Sequence, residues 1–241
     1  MCAVIGTVLK NPTIKDFEAL KRVFIESKIR GMHATGISFL PRWTEEIVTI
    51  KEPIPADEFV VKHMHNDNFK DFINSDGNLY LIGHCRYSTS DLEYNQPISN
   101  KKTSVAHNGV ITQELPEHWK ELYGYDCDTK NDSELLLHTI EENVSPLRRW
   151  KDASLSVCVL QVSKELKVFR NGKRPLYLTN LPNGVIITST ADIPNRVGLH
   201  SPIMEVPMNT YVTFDSKLSM KLEAERIPDS VDYQNYENPN H

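Results

Sequence analysis

No run of basic residues interleaved with aromatics occurs in this sequence, and 27 Lys and Arg against 32 Asp and Glu leave a net charge of −5. A polynucleotide surface needs a concentrated positive patch, so nucleic acid is not an expected partner. No apolar stretch approaches the roughly 18 residues that cross a bilayer, and the first segment has no basic region ahead of its apolar run. The expectation is a cytoplasmic protein with no membrane contact. Four cysteines, Cys2, Cys85, Cys127 and Cys158, are too few and too scattered for a disulfide framework, and no CxxC pair offers metal-ligand spacing. Reduced thiols are expected, and no metal. A Gly-rich phosphate loop is missing too, so no cofactor is expected.

What is present is an ordinary globular composition, 39% hydrophobic and 24% charged over 241 residues, long enough to bury a full core. One domain is expected over 1–226. The stretch 227–241 is polar and poor in periodic apolar residues, and reads as a loose tail. Short apolar or alternating runs dominate the rest. Strands are expected at 2–8, 36–40, 46–50, 79–85, 103–106, 155–162, 166–169, 176–178, 185–188, 210–214 and 218–222. Helical periodicity is clearest over 14–29, where Ile14, Phe17, Leu20, Phe24 and Ile29 mark one face. Thr13 and Asp16 resemble a capping box ahead of it, and Gly31 supplies a stop. A second helix should follow Asp132, with weaker helical patterns at 59–73 and 115–123. Asn171-Gly172 and Asn183-Gly184 read as hairpin turns.

The first strand carries a cysteine directly behind the initiator methionine. Removal of Met1 would give Cys2 a thiol and an α-amine on one residue. An amine with a reference pKa of about 7.7–8.0 can take the thiol's proton near neutral pH. The plainer alternative is a buried cysteine packing as a small hydrophobe.

Further segments bear on that choice. Gly83-His84-Cys85-Arg86-Tyr87-Ser88-Thr89, Gln96-Pro97, Ala106-His107-Asn108-Gly109 and Asn131-Asp132-Ser133-Glu134 follow the N-terminal Cys in that order. In these motifs the sequence resembles the class II glutamine amidotransferases, whose glutaminase domain is an N-terminal-nucleophile hydrolase. The likeness runs from Cys2 to about Glu134 through motifs and more loosely to Phe214, where Arg170-Asn171-Gly172-Lys173-Arg174-Pro175-Leu176-Tyr177 looks like the family's arginine-proline-leucine hairpin.

The resemblance implies a role for each matching residue. Cys2 would be the nucleophile, and the Asn108 side-chain amide and the Gly109 backbone N–H would be the oxyanion donors. Arg86 and Thr89 would hold the α-carboxylate of L-glutamine, Asp132 its α-ammonium, and Arg30 would line the site. The stretch 87–96 would close over the substrate. Simpler readings stand beside these: a type I′ turn at Asn108-Gly109, a strand-end salt bridge for Arg86, and an N-cap at Asp132 for a helix over 133–142. Three residues depart from the family pattern. His33 stands where aspartate is usual, Ala3 where glycine is, and Asn131 where threonine is common. The first leaves the local partner of Arg30 open. His33, His84 and His107 are not assigned as the catalytic base.

The implied fold is α+β, a four-layer αββα sandwich of the N-terminal-nucleophile hydrolase type; periodicity alone would allow other α+β folds. The implied reaction turns glutamine into glutamate and ammonia through a glutamyl thioester. The sequence carries no sugar-isomerase, phosphoribosyl or nucleotide-binding signature, so the ammonia acceptor is expected on a separate synthase, transferase or ligase. Two alternatives remain at this level: an N-terminal Cys amidohydrolase for another amide, and a catalytically silent regulatory or scaffold domain.

Overall fold

Every residue from Ala3 to Leu9 is buried, because strand β1 (Ala3–Lys10) lies inside a sheet that is packed on both faces. Strand alternation divides its side chains between two cores: Ala3, Ile5 and Leu9 point one way, Val4 and Val8 the other. The computed structural model describes residues 2–88 and 94–227.

In the first sheet β1 is flanked by β4 (Asn78–Arg86) and β10 (Gly184–Thr188). Beyond β4 lie β2 (Ala34–Phe39) and β3 (Val48–Glu52); beyond β10 lie β9 (Tyr177–Leu181) and β11 (Ile203–Glu205). The second sheet runs β13 (Met220–Ala224), β12 (Thr210–Phe214), β8 (Glu165–Arg170), β7 (Ser156–Gln161), β6 (Thr103–His107) and β5 (Ile98–Ser99). All pairings in both sheets are antiparallel.

Three apolar clusters separate four layers. Helices α1 (Ile14–Ser27) and α2 (Ala56–His63) cover the outer face of the first sheet, with Phe17, Leu20, Phe24 and Phe59 against Ile5, Ile37 and Leu81. Val4, Tyr80 and Ile82 meet Ala106, Cys158, Leu160 and Val168 between the sheets. Outside the second sheet, Val105, Val157, Val159 and Phe169 pack on α3 (Trp119–Tyr123), α4 (Ser133–Glu141) and α5 (Pro146–Arg149) through Trp119, Leu135, Leu136 and Leu147. A short helix, α6 (Asp192–Arg196), adds Ile193 to the first cluster. This is the αββα sandwich that the resemblance implies.

Several local expectations need correction. The capping box at Thr13 and Asp16 is present, but α1 ends at Ser27 and passes through a 3-10 turn over Lys28–Arg30. Gly31 is extended, with φ −163°, and its lack of a side chain serves packing: a Cβ there would lie 2.3 Å from the Cys85 carbonyl oxygen. Asn171-Gly172 is a crossover between sheets instead of a hairpin, since β8 belongs to the second sheet and β9 to the first. Asn183-Gly184 does close the β9–β10 hairpin. The pattern over 59–73 is α2 followed by a separate 3-10 turn at Phe69–Phe72. Ile227 is buried in the third cluster, so packed chain extends one residue past the expected domain boundary. The other tail positions lie outside the described residues.

The start of β1 and the end of β4 share one end of the first sheet, with Ala3 opposite Cys85. The end of β6 joins them. Ser104 Oγ bonds Ser38 Oγ across the sheets at 2.7 Å, and beyond it Gln96 touches both sheets. Its side-chain Oε1 accepts from the His107 backbone N–H at 2.6 Å, and a Cβ added at Gly36 would lie 2.3 Å from its carbonyl oxygen.

Candidate active site

Cys2 sits one residue before β1, half-buried, with its thiol 3.9 Å from the Tyr87 carbonyl oxygen. Arg30 reaches it because the chain at Gly31 lies flat on the end of β4. Its Nε donates to the Cys2 carbonyl at 3.0 Å. Burial lowers the pKa of the Arg30 guanidinium, the charge of Cys2 opposes that, and Arg174 adds to the lowering. Arg174 follows the β8–β9 crossover, and its Nε is buried with no hydrogen-bond partner among the described residues. Sequence reading gave Arg174 no role at the site; a second arginine ahead of a proline is too common a pattern to mark one.

His33, the departure from the family pattern, does not pair with Arg30. Its Nδ1 accepts from the Ser88 backbone N–H at 2.9 Å, its backbone N–H donates to the Arg86 carbonyl at 3.0 Å, and its ring lies 4.9 Å from that of Tyr87. It fixes the chain as it leaves β4.

Arg86 closes β4, and its Nη1 donates to the Tyr94 carbonyl at 2.8 Å and to Asn95 Oδ1 at 2.9 Å. Its Nε and Nη2 make no hydrogen bond among the described residues. Asn131 Nδ2 donates to the same Tyr94 carbonyl at 2.9 Å, tying the start of α4 to the end of β4. Asp132 occupies the N-cap position of α4 but makes no side-chain cap; the Ser133 N–H is taken by Asn131 Oδ1 at 3.1 Å. The Asp132 Oδ2 instead accepts from the Ile111 backbone N–H at 2.6 Å, and Oδ1 accepts none among the described residues. The capping role open from sequence is therefore not the one its carboxylate plays.

Arg86 and Asp132, distant in sequence, line one cavity of about 320 Å³ together with Tyr94, Gln96, Trp119 and Asn131. That lies at the small end of the roughly 300–1,000 Å³ found for small-molecule sites. A guanidinium and a carboxylate facing one small space suit a ligand that carries both charges. Gln96 belongs to one of the quoted motifs and Tyr94 to the stretch expected to close over the substrate, but the resemblance assigns neither a contact of its own. Thr89, the second expected carboxylate contact, lies outside the described residues, as do the neighbouring positions of the 87–96 stretch through Glu93.

Asn108 and Gly109 follow β6. They do not form the type I′ turn, since β6 pairs with β5 and β7, and Val110 bridges Ser154 instead. Asn108 is 4% exposed, and its side-chain Nδ2 is buried without a hydrogen-bond partner among the described residues. A buried donor left unpaired costs about 1–3 kcal/mol, so its persistence calls for an explanation outside folding. Gly109 has φ +156°, and a Cβ there would lie 1.8 Å from the Ser154 carbonyl oxygen. No other residue fits this backbone without displacing its neighbour.

The two histidines nearest this end are both buried. Burial, then the charges of His107 and Arg86, push His84 down to about 3. His107 is lowered chiefly by burial, and it is held by Ser133 Oγ at 3.1 Å and the Ser154 carbonyl at 2.9 Å. Both are neutral at physiological pH. Burial raises the Cys85 and Cys158 thiols far above the usual range, so neither offers a thiolate.

A larger cavity of about 460 Å³ opens beside α5 and β12. Four of its lining residues bond one another: Ser145 Oγ to the Tyr211 hydroxyl at 2.8 Å, and Glu225 to Ser145 and Arg148.

No protein-family model matches this sequence, and no curated protein does. Solved structures do resemble it. The glutamine phosphoribosylpyrophosphate (PRPP) amidotransferase from B. subtilis, complexed with ADP and GMP, aligns with a TM-score of 0.66 and 21% identity over 92% of this chain and 49% of its own. A structure of the allosteric regulatory enzyme of purine biosynthesis aligns at 0.69 and 21% identity over 94% of this chain and 50% of its own. A glutamine aminotransferase class-II domain protein from Silicibacter pomeroyi aligns at 0.55 and 12% identity, over 93% of this chain and 99% of that one. The chain thus spans about half the length of the first two and nearly all of the third. With two antiparallel sheets stacked between helical layers, the chain has the four-layer αββα fold of these structures.

Proposed function

We propose that this chain is a class II glutamine amidotransferase domain that hydrolyses the side-chain amide of L-glutamine. The observation that carries the reading is the single cavity lined by Arg86 and Asp132 at the end of the sheet where Cys2 stands. Arg86 Nε and Nη2 would grip the α-carboxylate, with Thr89 as a second contact, and Asp132 Oδ1 would take the α-ammonium. Arg30 would hold the Cys2 backbone in place through the carbonyl it already contacts.

Chemistry then follows from the residues. With Met1 removed, the Cys2 α-amine takes the thiol proton, and the thiolate attacks the side-chain carbonyl carbon of glutamine. The negative charge on the carbonyl oxygen is met by Asn108 Nδ2, a donor with no partner among the described residues, and by the Gly109 N–H. The α-amine returns its proton to the departing nitrogen, and ammonia leaves. A water, deprotonated by the same amine, then adds to the glutamyl thioester; collapse of that intermediate breaks the carbon–sulfur bond and releases glutamate. Ammonia would pass to an acceptor site on a separate synthase, transferase or ligase.

The test is glutamate release from glutamine by the purified protein beside Cys2→Ala, with the N-terminus read by intact mass. Release from a protein lacking Met1, lost in the variant, is the expected result. Unchanged release in the variant, or none from a correctly processed protein supplied with its co-purifying synthase, would overturn the reading.

A further inference from the structure

Helix α4 carries Glu134 and His138 four residues apart, which sets both side chains on one face of the helix. The chain that leads into α4 brings Cys127 to the same place. The Cys127 Sγ, a Glu134 carboxylate oxygen and a His138 ring nitrogen lie within 4.8 Å of one another, and His138 Nε2 is 3.7 Å from Glu134 Oε1.

Glu134 is 5% exposed and accounts for its own burial. It accepts from the backbone N–H groups of Asp128 and Thr129 at 2.8 and 2.7 Å and from Thr129 Oγ1 at 2.6 Å. His138 does not. Its Nε2 is buried and has no hydrogen-bond partner among the described residues, although it faces a carboxylate and a thiol. The ring is held in that direction by stacking on Tyr125, with centroids 5.3 Å apart and planes 14° from parallel.

We propose that Cys127, Glu134 and His138 form a binding site for a borderline-soft divalent cation of the zinc type. One thiolate, one imidazole and one carboxylate suit that ion and leave a fourth position for water. Bond lengths of about 2.0–2.3 Å in a tetrahedron put ligand atoms about 3.3–3.8 Å apart. The Glu134–His138 pair, at 3.7 Å, already has that spacing, and the Cys127 thiol, on a loop, lies no more than 4.8 Å from either of them. The hydrogen bonds at Glu134 act as the outer shell that orients a ligand. Binding forms the sulfur–metal bond and breaks the S–H bond, with the proton released to solvent.

The carboxylates of Glu134, Asp126 and Asp128 lie close enough to the thiol to act on it, and their negative charge attracts a divalent cation. Opposed to them is the Lys51 ammonium, which also feels Glu134.

The test is a cobalt(II) titration of the full-length, metal-free, reduced protein carrying Cys2→Ala, so that the thiol at the proposed active site cannot supply the signal. The expected result is one cobalt per chain with a thiolate-to-cobalt charge-transfer band and zinc displacement of it. Adding Cys127→Ser should abolish the band, and adding His138→Gln should weaken binding about tenfold or more. No charge-transfer band, or a band unchanged in either variant, would overturn the proposal. Because the readout is metal binding, it stands or falls separately from glutamine hydrolysis.

Discussion

Replacing Asn108 by Ala should separate catalysis from folding. The Nδ2 of Asn108 is buried without a partner among the described residues, so the folded protein already bears a cost of about 1–3 kcal/mol for that group. Truncation removes the unpaired donor and leaves a small gap in exchange. These effects oppose each other, and stability should change by no more than about 1 kcal/mol, a shift of roughly 2–4 °C in Tm for a chain of this size. Turnover has no such compensation. If Asn108 Nδ2 meets the oxyanion, its loss should lower kcat about 10²–10³-fold, equivalent to about 2.7–4 kcal/mol of transition-state stabilisation. KM for glutamine should hold nearly constant, since the contact is made in the transition state and not with the ground-state substrate. Glutamate release measured against glutamine concentration, beside a thermal melt of the same preparation, reads both quantities. A kcat within about threefold of the parent in a folded variant would refute the reasoning, as would a loss of stability well beyond 1 kcal/mol.

Two further outcomes follow from the geometry. Arg86→Lys keeps the charge but loses the planar fork, so KM for glutamine should rise about tenfold or more with a smaller change in kcat, as steady-state kinetics would show; an unchanged KM would remove Arg86 from substrate recognition. His84 is neutral and buried in the native state, with a pKa near 3 against about 6.5 in the unfolded chain. Its contribution is fully present above pH 6.5 and declines as pH falls toward 3, by about 2 kcal/mol at pH 5. Denaturant unfolding at pH 7 and pH 5 should show that loss, and His84→Asn should reduce it.

Much of this was legible from sequence where one physical signal dominated. The apolar run behind Cys2 could belong to a strand buried on both faces, and β1 is one. The Thr13–Asp16 box placed the start of α1, and alternation placed β12 at Thr210–Phe214. Strands too short to show a period escaped: β5 has two residues and β11 three. Helix α6 carries Pro194 inside its five residues and had no readable pattern. Asn171-Gly172 misled because turn chemistry is local, whereas the sheet that the next strand joins is settled by packing at long range. Asn171 is buried there, accepting from the Leu155 N–H at 3.0 Å and donating to the Ala153 carbonyl at 2.8 Å, which anchors the crossover. At the site, motif order singled out Cys2, Arg86, Asn108, Gly109 and Asp132. It carried Gln96 and Arg174 only as motif members and Tyr94 only within the stretch 87–96, because their neighbours depend on how the two sheets stack.

The position of β1 inside its sheet also ties the Cys2 end of the chain to segments far along the sequence. Val4 donates its backbone N–H to Ser189 Oγ at 2.8 Å, and Ile5 lies opposite Thr188. The residues just after Cys2 are thus held by a side chain 185 positions further along the sequence. An incomplete chain therefore carries the thiol without the cradle that aligns it.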